Sequence, residues 1–283
     1  MATTSITSAQ LDDKDDRIFP LTRWISAAVV PFLVLAFIIL YLFPDESGRR
    51  FAWEIKPHMT AMYIGAGYLG GAYLFLHAIF GRHWHRIAAG FPAVTTFTIS
   101  MLLITILHWN RFDLHHFPFQ LWLVLYVVTP FLVPATWLYN RKTDPGTPEA
   151  RDAVVPPWAR YALGLLGGVL LVFSVAAFIR PDLLIPIWPW ALTTISARAL
   201  AGWFALLGVG GLVISRDWRW SAWKVGLGSI ALWHILVLLA AALNPGDFTG
   251  SYPFNWYLVS VAVVLLGMAF LAVIMHDRIL TSQ

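Results

Sequence analysis

The sequence predicts an all-α integral membrane protein, with eight transmembrane helices arranged as two parallel four-helix repeats about a pseudo-twofold axis along the membrane normal. Three observations predict it. First, 59% of the 283 residues are hydrophobic and 12% are charged, whereas a soluble domain carries about a quarter charged residues. Second, eight apolar segments reach the roughly 20 residues that a helix needs to cross a bilayer. Third, the second half of the chain repeats the first at a nearly constant offset.

Residues 1–20 are polar and carry Asp12, Asp13, Asp15 and Asp16. They hold no apolar core of a signal peptide and read as a disordered cytoplasmic tail. The spans follow at 22–43, 58–80, 88–109, 118–140, 158–179, 191–214, 221–243 and 254–275. Residues 21–140 thus make a first four-helix unit and 158–278 a second, with a short cytoplasmic tail at 279–283. The connector 141–157 is polar and Pro-rich, as a linker between units should be. Orientation follows from Lys and Arg, which favour the cytoplasmic side. With the N-terminus inside, thirteen of them fall on inner segments and five on outer ones. Both termini are therefore expected in the cytoplasm, with the cell membrane as the default location.

At an offset of 137, Pro44 and Asp45 fall on Pro181 and Asp182, Trp53 on Trp190, and Gly65 on Gly202. At 134, Asn110 falls on Asn244 and Asp113 on Asp247; at 135, Pro118 falls on Pro253. An even number of helices per unit makes both units enter from the same side, so the repeats are parallel. Pro-Asp and Asn/Asp pairs read as turns. Trp53 and Trp190 read as headgroup anchors, and Pro118 and Pro253 as first-turn residues of helices 4 and 8. Glycines on helix 2 (Gly65, Gly67, Gly70, Gly71) and helix 6 (Gly202, Gly208, Gly210, Gly211) read as close packing. They make these two helices the expected innermost pair.

The polar residues that the repeat leaves unmatched are the functional candidates. Arg198 lies inside helix 6 and His234 near the middle of helix 7, where an ionisable group is expected to act. On the expected outer side stand His58, Glu54 and His108, which with Arg198 and His234 form a candidate ligand set. His108, Asp113, His115 and His116 offer imidazole and carboxylate to a metal. A haem held by His58 and His108 is the other cofactor reading, although the sequence requires no cofactor. The chain has no cysteine, which excludes disulfides and thiolate chemistry. It carries no phosphate loop, hydrolase motif or metalloprotease helix, and no basic run suited to nucleic acid. The lipid bilayer is the expected partner, with other membrane subunits or a small anionic ligand beside it.

Three functions fit. The first is binding or transport of a small molecule or lipid at the interface of the repeats, open to the outer side. The second is an accessory subunit of a larger membrane complex. The third is a redox protein using the outer histidines.

Overall fold

The computed structural model describes residues 14–250 and 252–281. Its eight long helices are α1 (Pro20–Leu42), α2 (His58–Phe80), α3 (His85–Leu107), α4 (Phe117–Thr143), α5 (Pro157–Ile179), α6 (Thr194–Ile214), α7 (Trp220–Leu243) and α8 (Trp256–Leu280). All are long and apolar enough to cross a membrane. By length and composition, the chain is an integral membrane protein. No strand occurs among the described residues.

The helix starts have local causes. Proline occupies the first turn of α1, α4 and α5, where its fixed φ fits and its missing N–H costs nothing. Thr193 caps α6 by accepting from the Ser196 amide. Two starts depend on distant residues instead. The Asp247 carboxylate accepts from the Met59 amide of α2 at 2.7 Å. Asp152 accepts from the Ser221 amide of α7 at 2.9 Å. A carboxylate at a helix N-terminus satisfies an orphan donor and opposes the helix dipole.

Helix α1 packs on α2 and α5 on α6; α4 packs on α3 and α8 on α7. Across the sequence midpoint, α2 lies against α7 and α3 against α6. The four central helices are therefore α2, α3, α6 and α7, and the two halves interleave. As their glycines suggest, α2 and α6 are the most buried, at 61% and 56% of their most apolar stretches, whereas α5 and α8 reach only 17% and 22%. Without a hydrophobic drive between helices in lipid, close packing has to hold them. The α5–α6 crossing shows it best. A Cβ on Gly167 would stand 2.8 Å from the Gly208 carbonyl, and one on Gly208 2.8 Å from the Leu171 amide nitrogen.

Two ends of the bundle are distinct. The basic end carries residues 14–19, the α2–α3 turn, the connector and the α6–α7 turn. The far end carries the other loops. There, Pro44–Glu46, Trp109–Arg111, Pro181–Leu183 and Pro245–Asp247 each form a short 3-10 turn, in keeping with Asp45, Asn110, Asp182 and Asn244 as turn residues.

Other expectations need correction. Trp53 and Trp190 are buried, at 8% and 1% exposure, and are core residues rather than headgroup anchors. Trp53 packs edge-on against Trp122 at 4.9 Å, and the Trp190 indole donates to Thr60. Pro253 precedes α8 instead of opening it. Residues 1–13 lie outside the described residues, but Asp16 and Ile18 are buried, so residues 14–19 are packed segment, not free tail. The connector is not a plain tether either, since Val155 is fully buried and three of its acidic residues bind the neighbouring turns. At the other terminus α8 continues to Thr281, beyond the expected boundary at 278.

Candidate functional site

A cavity of about 730 Å³ lies between the halves, walled by α2, the start of α3, α5, α6, α7 and α8. Glycine makes much of the room: Gly67, Gly70 and Gly71 on α2, Gly210 and Gly211 on α6, and Gly226 on α7 all face it. Trp203 and Trp233 pack in a tilted pair at 4.9 Å along its wall. Its serine hydroxyls are committed, Ser229 donating to the Gly70 carbonyl and Ser260 to the Tyr257 carbonyl. His234 also lines it. Its Nδ1–H donates to the Ile230 carbonyl of its own helix at 2.8 Å. That fixes the tautomer and leaves Nε2 as the ring atom able to accept from a ligand.

Apolar packing borders the cavity at each end, and at the basic end the partly exposed Arg86 also lines it. At the basic end a separate apolar cluster, including Ala159, Trp220, Trp223, Leu271 and Met275, ties α5, α7 and α8 together. At the far end Trp188 packs against Trp256 at 5.6 Å and Tyr257 at 4.7 Å, and the Trp256 indole donates to the Ile187 carbonyl. Between the two ends, the outer wall is α5 and α8, the two least buried helices.

A smaller space in the first half, between α1, α2 and α4, holds only about 60 Å³. Aromatic rings fill it. Trp122 and Tyr126 stack at 4.1 Å, and Tyr126 shares a hydroxyl bond of 2.9 Å with Tyr68. At the offsets that align the halves, Tyr68 falls on Ala205 and Tyr126 on Val261. Of these two, Val261 lines the large cavity, where it takes less room than Tyr126 takes beside the smaller one.

Of the expected ligand set, only His234 reaches the cavity wall. Arg198 instead joins the halves at the far end, donating to the Phe178 carbonyl at 3.0 Å and to His108 Nε2 at 2.9 Å. His58 bonds Asp45 at 2.7 Å and Glu54 pairs with Lys56 at 2.6 Å. The expected metal set does not converge either. His108 is held by Arg198, Asp113 accepts from the His115 amide, and His116 Nε2 donates to the Phe51 carbonyl.

The Arg198–His108 contact has a pH consequence. Burial first, then the Arg198 and Arg111 charges, hold the His108 imidazole below its ordinary value of 6.5. The unfolded chain then binds more protons in that window. Stability from this contact is full above about pH 6.5 and is lost as pH falls through the folded value. His108→Gln keeps an acceptor for Arg198. It is expected to flatten this part of the acid-side slope, measured as unfolding midpoints at about pH 5 and about pH 7.5. An unchanged slope would assign it to other groups.

A second polar assembly lies at the basic end. Asp16, His83, His85, Glu149, Asp152 and Ser221 converge there from four segments. His85 Nδ1 stands 2.5 Å from Asp16 Oδ2 and its Nε2 stands 2.8 Å from Ser221 Oγ. The order Asp–His–Ser is that of a hydrolytic triad. However, the Ser221 hydroxyl donates to Asp152, is buried and lies outside the cavity wall, so neither its proton nor access suits a nucleophile. Glu149 accepts from Arg86 and also faces His85 Nε2 at 3.2 Å; the Arg86 hydrogen bonds hold its carboxyl below the usual range. Beside it, buried Arg219 bridges Asp144 and Asp217. The sequence signal for this assembly was thin: a His-Trp-His triplet at 83–85 and three carboxylates in the connector.

The chain matches no known family model, no curated protein and no solved structure.

Proposed function

We propose that this protein binds a lipid or another small apolar molecule in the cavity between its halves, as a binding or transport protein. The single observation that carries this reading is the 730 Å³ cavity itself, within the roughly 300–1,000 Å³ range of ligand sites. Its wall is mostly apolar; Arg86 at the basic end is bound to Glu149, and His234 is the polar handle that orients a ligand hydroxyl or headgroup. Access from the far side, expected on sequence grounds, is disfavoured by the Trp188–Trp256–Tyr257 packing. Entry from the bilayer between α5 and α8 suits the packed ends and an apolar ligand. The reading as two parallel repeats draws support from the crossed packing of α2 on α7 and α3 on α6, which exchanges the halves. Cytoplasmic termini remain the orientation that the Lys and Arg distribution favours.

Gly226→Trp tests the reading. A Cβ there meets nothing within 4 Å, and the position lines the cavity. Gly267 on α8 is equally unobstructed but lies outside the cavity wall, so Gly267→Trp is the control. Labelling by a photoactivatable fatty acid, read by mass spectrometry, is expected to fall on cavity residues and to drop at least about tenfold in Gly226→Trp alone, a difference of about 1.4 kcal/mol in binding. Equal labelling of both variants would remove the cavity as the site.

A further inference from the structure

We propose that Asp16, His83 and His85 form a binding site for a divalent first-row metal ion of the zinc class. The site is independent of the cavity and of any ligand in it.

The geometry starts from one carboxylate oxygen. Asp16 Oδ1 accepts from the His85 amide at 3.0 Å, which leaves Oδ2 facing two imidazoles. His83 Nδ1 stands 3.1 Å from it and His85 Nδ1 stands 2.5 Å from it. All three ligand atoms lie within 4.8 Å of one another. In a tetrahedral site with bonds near 2.0–2.1 Å, ligand atoms sit about 3.3 Å apart. His83 Nδ1 already stands near that spacing from Asp16 Oδ2, and the His85 ring has to withdraw by about 0.8 Å to reach it.

The outer hydrogen bonds fix the tautomer of His85. The Ser221 hydroxyl donates to Asp152, so its oxygen accepts from His85 Nε2. Glu149 Oε1, 3.2 Å away, is a second acceptor for the same N–H. A neutral His85 with its proton on Nε2 turns the Nδ1 lone pair toward Asp16. Two lone pairs that face each other call for a cation: a proton on Nδ1 at the 2.5 Å separation, or a metal ion once the pair opens to ligand spacing. A metal-bound histidine whose other nitrogen donates to an oxygen acceptor is the usual outer arrangement of a metal site. His83 supplies a second nitrogen aimed at the same oxygen, which a proton alone does not need.

The donor set selects the ion. Two imidazoles and one carboxylate, with no thiolate in the chain, suit zinc and its borderline neighbours rather than calcium or magnesium. His85 and Asp16 are buried, whereas the His83 side chain is 40% exposed. One side of the site thus faces water, which can complete the coordination. A bound ion would pin residues 14–19 to the α2–α3 turn.

The test uses the untagged full-length protein, stripped with chelator and then titrated with Zn²⁺, and with Co²⁺ as a spectroscopic probe. One equivalent of Zn²⁺ is expected to bind and raise the unfolding temperature, and Co²⁺ is expected to give visible d–d bands. His83→Ala keeps the Asp16–His85 and His85–Ser221 contacts and should fold. It is expected to weaken Zn²⁺ binding at least about tenfold. His276→Ala, at an exposed histidine remote in sequence, should bind as the unaltered protein does. Absence of stoichiometric binding would overturn the proposal and leave a protonated His85 ion pair. So would equal affinity in His83→Ala, or an equal loss in His276→Ala.

Discussion

Arg219→Ala is expected to lower the unfolding free energy by about 3–5 kcal/mol, the usual cost of removing one partner from a buried ion pair. Arg219 is only 5% exposed. Its guanidinium reaches Asp144 at 2.7 Å and Asp217 at 2.6 Å, so two carboxylates lose their partner together. Burial pushes the Asp144 carboxyl up, and the Arg219 hydrogen bonds outweigh it and bring the group below its usual value of 3.8. With that partner gone, the Gly146 amide is left as the hydrogen-bond donor that opposes burial at Asp144. The backbone around Arg219 is also part of the clamp, since Val155 donates to the Trp218 carbonyl and Trp220 to the Ala153 carbonyl. Unfolding in detergent, followed by tryptophan fluorescence, measures the loss. The combined variant Asp144→Asn, Asp217→Asn, Arg219→Met removes all three charges. It is expected to recover most of the stability, because apolar or neutral replacements of a buried pair are often tolerated. A loss below about 1 kcal/mol for Arg219→Ala, the level of a surface pair, would show that the clamp holds no weight. The sign of the pH effect follows. Asp144 has a depressed folded value, so its contribution is full above the unfolded value and disappears as pH falls through the folded one.

Gly208→Leu is expected to destabilise the bundle by about 3 kcal/mol or more, at the upper end of overpacking costs. Its Cβ would meet backbone atoms of α5, not side-chain tips: the Leu171 nitrogen at 2.8 Å and the Gly167 carbonyl at 2.9 Å. Backbone cannot rotate away, so α5 and α6 must separate. Gly226→Ala is the contrast. Nothing lies within 4 Å of that position, and alanine in a helix interior is favoured over glycine by about 0.5–1 kcal/mol. Equal and small effects at both positions, read by thermal unfolding in the same detergent, would refute the close α5–α6 contact.

The sequence by itself determined the eight spans, their boundaries within a few residues and the central place of α2 and α6. Those features are local: length and apolarity decide a span, and glycine permits close approach whatever the partner. Arg198 and His108 were legible as unusual residues, yet their bond to each other was not. The tertiary structure alone decided which helix faces meet, where Trp53 and Trp190 lie, and that a cavity opens beside Val261 whereas Tyr68 and Tyr126 fill the space between α1, α2 and α4. It also brought Asp16, His85, Glu149 and Ser221 together across 205 positions of chain. The physical reason is the solvent. A soluble helix marks its buried face with an apolar stripe. A helix in lipid is apolar on every face, so periodicity does not say which side meets protein and which meets the bilayer.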